Sequence, residues 1–285
     1  MRVVAVGGGH GTAVSLRALR LLSSDVTGVV SVADDGGSSG RLRADLDVAA
    51  VGDLRKCLGA LADPDNPLTR SFEHRFSTGE LSGHTVGNLL LVGLLDATGD
   101  LEESVREVAS LMGVTGSIVP ASSNGVVLLA STDEGTTRGQ TEVARSSSIR
   151  RISIEPANAA APISAVEAIE RAQVILIGPG SLFTSVLAAC AVPGILQAIA
   201  GTQARTIYVA NLHEQVPETS GYSLQDHVDA LRDHGVNPHV VLVDEHSAFA
   251  TQACSLPRVV AEIAREDGLV HDVQKLAKAV LAQVR

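Results

Sequence analysis

The chain is poor in aromatic residues and in cysteine, and it has no tryptophan. Two tyrosines and four phenylalanines among 285 residues are too few platforms for stacking bases along a single strand. Positive charge is also short. The 22 Lys and Arg face 32 Asp and Glu, a formal net charge of -10, which excludes a general nucleic-acid surface. Cys57, Cys190 and Cys254 lie far apart and form no CxxC pair. That argues against structural zinc and a disulfide framework and fits three ordinary buried thiols. No apolar run approaches the roughly 20 residues of a membrane helix. The N-terminus enters a strand without the charged leader and long apolar stretch of a signal peptide. A cytoplasmic protein that meets neither nucleic acid nor membrane is expected. Any phosphate site must be local, built from loop amides and a few arginines.

Several catalytic signatures are missing as well. No Gly-Lys-Ser/Thr closes a Walker A loop, and the nine histidines show no HExxH spacing. No Gly-x-Ser-x-Gly elbow occurs, so a serine hydrolase is excluded. No acid/base pair for hydride chemistry stands out, which leaves a dehydrogenase reading weak.

What is present is an apolar share of 45%, enough for a full core, and a repeated strand–loop–helix grammar. Val3-Val4-Ala5-Val6 runs into Gly7-Gly8-Gly9-His10-Gly11-Thr12 and then an amphipathic helical stretch. Val29-Val30-Ser31-Val32 runs into Ala33-Asp34-Asp35-Gly36-Gly37-Ser38-Ser39-Gly40. That is a βαβ unit, a parallel pair with a right-handed crossover. Apolar helices crowd residues 53–112, a helical insertion. Short β-like runs over about 116–154 read as a small antiparallel excursion. Strands resume at Val174–Ile177, Thr206–Val209 and Val240–Val243, with helices over 223–234 and 273–284. The expectation is one interwoven domain over 1–285. It is a Rossmann-like α/β fold, a mostly parallel sheet with helices on both faces.

Three loops carry the chemistry. Gly7, Gly8, Gly9, His10, Gly11 and Thr12 sit where backbone amides at a helix start bind an anion, although Thr12 replaces the third glycine of the dinucleotide fingerprint. Asp34 and Asp35, in a loop with Gly36, Ser38 and Ser39, suit a hard cation such as Mg²⁺. Alternatively one carboxylate grips a ribose or sugar hydroxyl, or the loop is an Asx turn capping a helix. Ser38 and Ser39 can donate to phosphate oxygens, with Arg41 or Arg43 neutralising charge. Gly178, Pro179, Gly180 and Ser181 form a third strand–loop–helix anion site, with Asn211 at the end of the next strand. Asp53 and Arg55 add a third carboxylate and a cation, or a helix N-cap and a solvated side chain. His84 and Asn88 lie one turn apart on one helix face, facing a cleft or hydrogen-bonded in the core.

These motifs resemble the YvcK proteins, the gluconeogenesis factors. The resemblance rests on Gly7–Thr12, Ala33–Arg43, Gly52–Arg55, Gly83–Leu89, Ile177–Ser185 and Pro217–Thr219 with Asp226-His227. The YvcK proteins share a superfamily with 2-phospho-L-lactate transferase, an enzyme of deazaflavin coenzyme assembly. The resemblance implies a Rossmann-like fold, a cytoplasmic setting and a UDP-sugar ligand such as UDP-N-acetylglucosamine. It also implies a role in cell shape and envelope precursor supply during gluconeogenic growth, exerted through a regulated protein partner. A homo-oligomer is expected. The transferase branch implies carboxylates that hold a metal near a diphosphate, matched here by Asp35 and Asp53. Two departures stand out. The stretch after Asn211-Leu212 is His213-Glu214-Gln215-Val216-Pro217-Glu218-Thr219, and Val270, rather than an arginine, precedes His271-Asp272.

Overall fold

The computed structural model describes residues 1–284. The N-terminal apolar run becomes strand β1, Val3–Gly7, buried along its whole length. β-branched residues on both sides suit a parallel strand covered on both faces. Helix α1 (Gly9–Arg20) and strand β2 (Val26–Val30) follow, and then helices α2 (Gly37–Leu46), α3 (Gly52–Leu61), α4 (Pro67–Phe72), α5 (Val86–Thr98) and α6 (Leu101–Leu111). Next come strands β3 (Ser117–Pro120), β4 (Val127–Thr132) and β5 (Gly135–Arg138), helix α7 (Gln140–Ala144) and strand β6 (Ile149–Glu155). The α/β alternation then resumes with α8 (Ile163–Glu170) and β7 (Val174–Ile177). A π-helical turn over Leu182–Leu187 runs into α9 (Ala188–Cys190). The chain closes with α10 (Pro193–Gly201), β8 (Arg205–Val209), α11 (Leu224–Asp233), β9 (Val240–Asp244), β10 (Arg258–Ala261) and α12 (Val273–Leu281).

The main sheet has seven strands in the order β10-β9-β8-β7-β1-β2-β3, and every pairing in it is parallel. The order runs outward from β1 in one direction to β3 and, starting beside β1 with β7, in the other to β10. The winding therefore reverses between β1 and β7, and open α/β sheets bind ligands outside the strand ends at such a point. Helix α1 packs on α3 and α12, and α8 to α10 form a second group. Val6, Val29, Leu176, Ile207 and Val241 are wholly buried between these layers.

Two differences from the sequence reading concern strands. Ser117–Pro120 is no part of the antiparallel excursion; it pairs in parallel with β2, from Thr27↔Ser117 to Val30↔Pro120, as an edge of the main sheet. The excursion is the separate sheet β5-β4-β6. Strand β10 had no counterpart, because Arg258-Val259-Val260-Ala261 is an edge strand with two exposed positions and carries no continuous apolar run. Among the described residues no single helix is long and apolar enough to cross a membrane.

Candidate functional site

The loops after β1, β7 and β8 meet at the switch point and are stitched together by polar contacts. Ser15 of α1 donates to the Gly178 carbonyl at 2.7 Å, and Thr12 donates to the Gly8 carbonyl at 3.2 Å. Asn211 accepts from the Gly180 amide at 3.0 Å and donates to the Gly180 carbonyl at 2.9 Å and to Gln215 at 3.0 Å. A buried carboxamide that pairs both polar groups of one residue fixes that loop firmly. The amides of Gly9, His10 and Gly11 open α1, and among the described residues none meets an acceptor outside the helix. A cleft of about 260 Å³ lies beside them, lined by His10, Gly11, Gly180, Asn211, Val270 and His271 among others.

Gly11 is required by contact. A Cβ there would stand 2.1 Å from the Pro179 carbonyl oxygen, which is backbone and cannot swing away. Gly11→Ala is expected to force the β1 and β7 loops apart and to cost about 2 kcal/mol. A lower urea midpoint with an unchanged slope would show it.

The carboxylates are arranged differently from the sequence reading. Asp35 turns towards the small sheet. Its Oδ1 accepts from the Thr141 amide at 2.8 Å and from the Thr141 hydroxyl at 2.7 Å, so it caps α7. Asp34, rather than Asp35, shares its surroundings with Asp53. Burial first, and then the Asp53 charge, hold the Asp34 carboxyl above its ordinary value. A Cβ on Gly52 would lie 2.6 Å from Asp34, and one on Gly8 2.4 Å from Asp53. Asp53 therefore borders the β1 loop, and Asp34 the start of α3. The expected pairing of Asp35 with Asp53 is corrected: the α7 N-terminus claims Asp35, and Asp34 is the carboxylate that stands with Asp53. Among the described residues no three His, Cys, Asp or Glu side chains gather around one point. A cation here would rest on two carboxylates and take its other ligands from water and phosphate, a donor set that fits Mg²⁺.

Lys56, absent from the sequence-based candidates, pairs with Asp53 at 3.0 Å. The signal was available, since i and i+3 on one helix face each other. Of the two readings of Arg55, the solvated side chain does not hold: Arg55 is buried and engaged by Glu73. His10 stands beside this group, its imidazole held low by burial and then by the Lys56 ammonium.

The first turn of α2 carries a buried polar network. Asn88 donates to Ser38 at 3.0 Å and to Ser39 at 3.4 Å, and Ser38 lies 3.0 Å from His84 Nδ1. Burial keeps the His84 imidazole below its ordinary value, with Arg41 adding to the effect. Arg41 itself donates to the Ser82 carbonyl at 2.7 Å, which fastens the loop before α5 over α2. His84 and Asn88 therefore act first as a strut between α2 and α5.

The third anion site is filled from within. Glu218, only 3% exposed, sets its carboxylate on the turn that follows Gly180. It accepts from the Phe183 amide at 2.7 Å, from Ser181 at 2.6 Å and from Thr184 at 3.2 Å. The expectation that Gly178–Ser181 binds a ligand anion at its helix start is corrected. That helix start already holds a carboxylate, and the loop faces the cleft only through Pro179 and Gly180.

A doubly wound parallel sheet with an open helix N-terminus at its switch point defines a Rossmann-like α/β protein. The family described as 2-phospho-L-lactate transferase CofD matches residues 3–283. The gluconeogenesis factor of Halalkalibacterium halodurans is 37% identical over 98% of this chain and 95% of its own length. That of Listeria monocytogenes is 33% identical over 99% and 95%. A crystal structure of a Bacillus halodurans protein superposes with a TM-score of 0.92 at 36% identity, over 98% of each chain. The chain belongs to the gluconeogenesis factor family, within the CofD group.

Proposed function

We propose that the chain binds a nucleotide sugar of the UDP-N-acetylglucosamine type and acts as a non-catalytic regulator. One observation carries this reading: the amides of Gly9–Gly11 find no acceptor outside α1, and His10 and Gly11 line the cleft at the β1/β7 switch point. A diphosphate there meets the positive end of α1. Val14, Leu212, Leu269 and Val270 give the same cleft an apolar wall for a base. Asp34 offers acceptors for a sugar hydroxyl. Occupancy would then shift the population of a form that a protein partner recognises. The relatives' name, gluconeogenesis factor, supports a role in gluconeogenic growth, within which that partner would act in cell shape and envelope-precursor supply. Calorimetric titration with UDP-N-acetylglucosamine, with GDP and NAD for comparison, tests it. Saturable, UDP-selective binding without product is expected; absence of UDP-sugar binding sinks it.

The carboxylate pair favours a second reading, a Mg²⁺-dependent transferase of the phospholactate type. Bound Mg²⁺ would neutralise charge on a diphosphate. Asp34 and Asp53 would hold the ion, and the α1 amides would orient the phosphate. Asp34→Asn separates the two. If a cation sits on the pair, the variant loses the Mg²⁺ dependence of ligand binding, while its melting temperature stays within about 2 °C because a repulsive contact is removed. Ligand binding indifferent to Mg²⁺ in both proteins excludes the metal.

A further inference from the structure

We propose that Lys56 is the phosphate clamp of this site, a mobile ammonium that leaves Asp53 for the ligand's diphosphate. The inference rests on the ligand reading above and names the residue that reads its charge. The chain has three lysines, Lys56, Lys275 and Lys278. The latter two belong to α12, where Lys275 is bound to Glu262 and to the Ala264 carbonyl. Lys56 lies in α3, and its Nζ stands 4.0 Å from the place a Cβ on Gly9 would take. The ammonium therefore hangs over the first residue of α1, beside amides that lack acceptors. Its neighbours cannot do this work as they stand: Arg55 is engaged by Glu73 and Arg41 by the Ser82 carbonyl.

The Lys56–Asp53 contact is a single bond at 3.0 Å, with the lysine side chain 25% exposed. A compact charge on a flexible four-carbon stem re-aims easily, unlike a guanidinium fork. A phosphate at the α1 N-terminus brings two or more negative oxygens within reach of that charge. Charge-assisted bonds to it would outweigh one bond to Asp53. The exchange has a second consequence. Asp53 is only 4% exposed, and losing its cation beside Asp34 leaves two carboxylates facing each other. A divalent cation would then bind more tightly, so phosphate and cation reinforce each other reciprocally.

With only three lysines, ¹³C reductive methylation of the intact chain yields three resolvable dimethyl-lysine signals, and Lys56→Arg assigns one of them. The probe is inorganic diphosphate. The Lys56 signal is expected to move while those of Lys275 and Lys278 stay. Lys56→Gln is expected to bind diphosphate about ten-fold more weakly by calorimetry. Lys56→Arg should recover only part of the affinity, because the guanidinium fork re-aims less readily. A fixed Lys56 signal in a wild-type protein that binds UDP-N-acetylglucosamine overturns the clamp but leaves the ligand reading standing. So does Lys56→Gln affinity within about two-fold of wild type. Wild-type protein that binds neither compound overturns both. If Lys56→Gln fails to fold, the wild-type signal still decides.

Discussion

Glu218→Ala is expected to lose about 4 kcal/mol of stability, a fall of about 8 °C in melting temperature for a chain of this size. The carboxylate is buried and receives the Phe183 amide and the Ser181 and Thr184 hydroxyls. Removing it leaves those donors without their acceptor, which costs more than the bonds themselves. It also leaves the positive end of the Leu182–Cys190 helical stretch uncompensated. The effect has its own signature. The vacated helix start becomes an anion site, so phosphate or sulfate should raise the melting temperature of Glu218→Ala more than that of wild type. Equal salt responses would show that the nest does not reopen and that Glu218 acts only by filling space. Tyr208 supplies a further check. Its hydroxyl is buried without a partner, and burial and then the Glu218 charge push the phenol well above its ordinary value. Removing Glu218 should lower the pH at which the tyrosine absorbance titrates.

Glu218 also shows where reading the sequence stops. Pro217-Glu218-Thr219 is visible as a motif after the fourth strand of the expected sheet, yet nothing local says that its carboxylate reaches back 35 residues to the Phe183 amide. Asp34 and Asp35 fail in the same way. Both stand in one glycine-rich loop, and only the position of α7, delivered by the antiparallel sheet, decides which one is taken. What was legible rests on short-range physics. Short apolar runs rich in β-branched residues mark parallel strands buried on both faces, and this located β1, β7, β8 and β9; the glycines that follow β1 located the Gly7–Thr12 loop. The four residues Ser117–Pro120 have too little pattern to choose a sheet. Asn211 was identified from its place at a strand end, and the structure gives that place a function, clamping Gly180 by both its polar groups. Lys56 was passed over because its importance comes from Gly9, on another helix.

Between pH 6.5 and about 4 the protein is expected to lose about 3 kcal/mol through His271 alone. This histidine is 7% exposed, and its Nε2–H donates to the Ala210 carbonyl at 3.2 Å. Burial depresses its pKa to about 4, against the partial support of that bond and of Asp244. The native state therefore holds the neutral ring through a range in which the unfolded chain is protonated. The unfolded state binds more protons there, so stability rises with pH across the window and is complete above 6.5. Burial shifts His227 and His234 the same way and adds to the slope. Asp34, shifted upward, opposes it. Burial pushes Asp244 up, but the amides of Ile263, His246 and Ala264 outweigh it. Its net downward shift places its loss below its ordinary value of 3.8, outside the window. His271→Gln keeps a side-chain donor and removes the titration. Urea unfolding at a series of pH values should show that variant losing about 3 kcal/mol less than wild type on acidification, and parallel curves would sink the assignment. The consequence reaches the ligand as well. His271 lines the cleft beside Val270, and the bridge between Ala264 and His271 holds that wall in place. Charging the ring loosens the wall, so ligand affinity in wild type should hold through the window and fall only as the pH approaches about 4, and His271→Gln should flatten that fall.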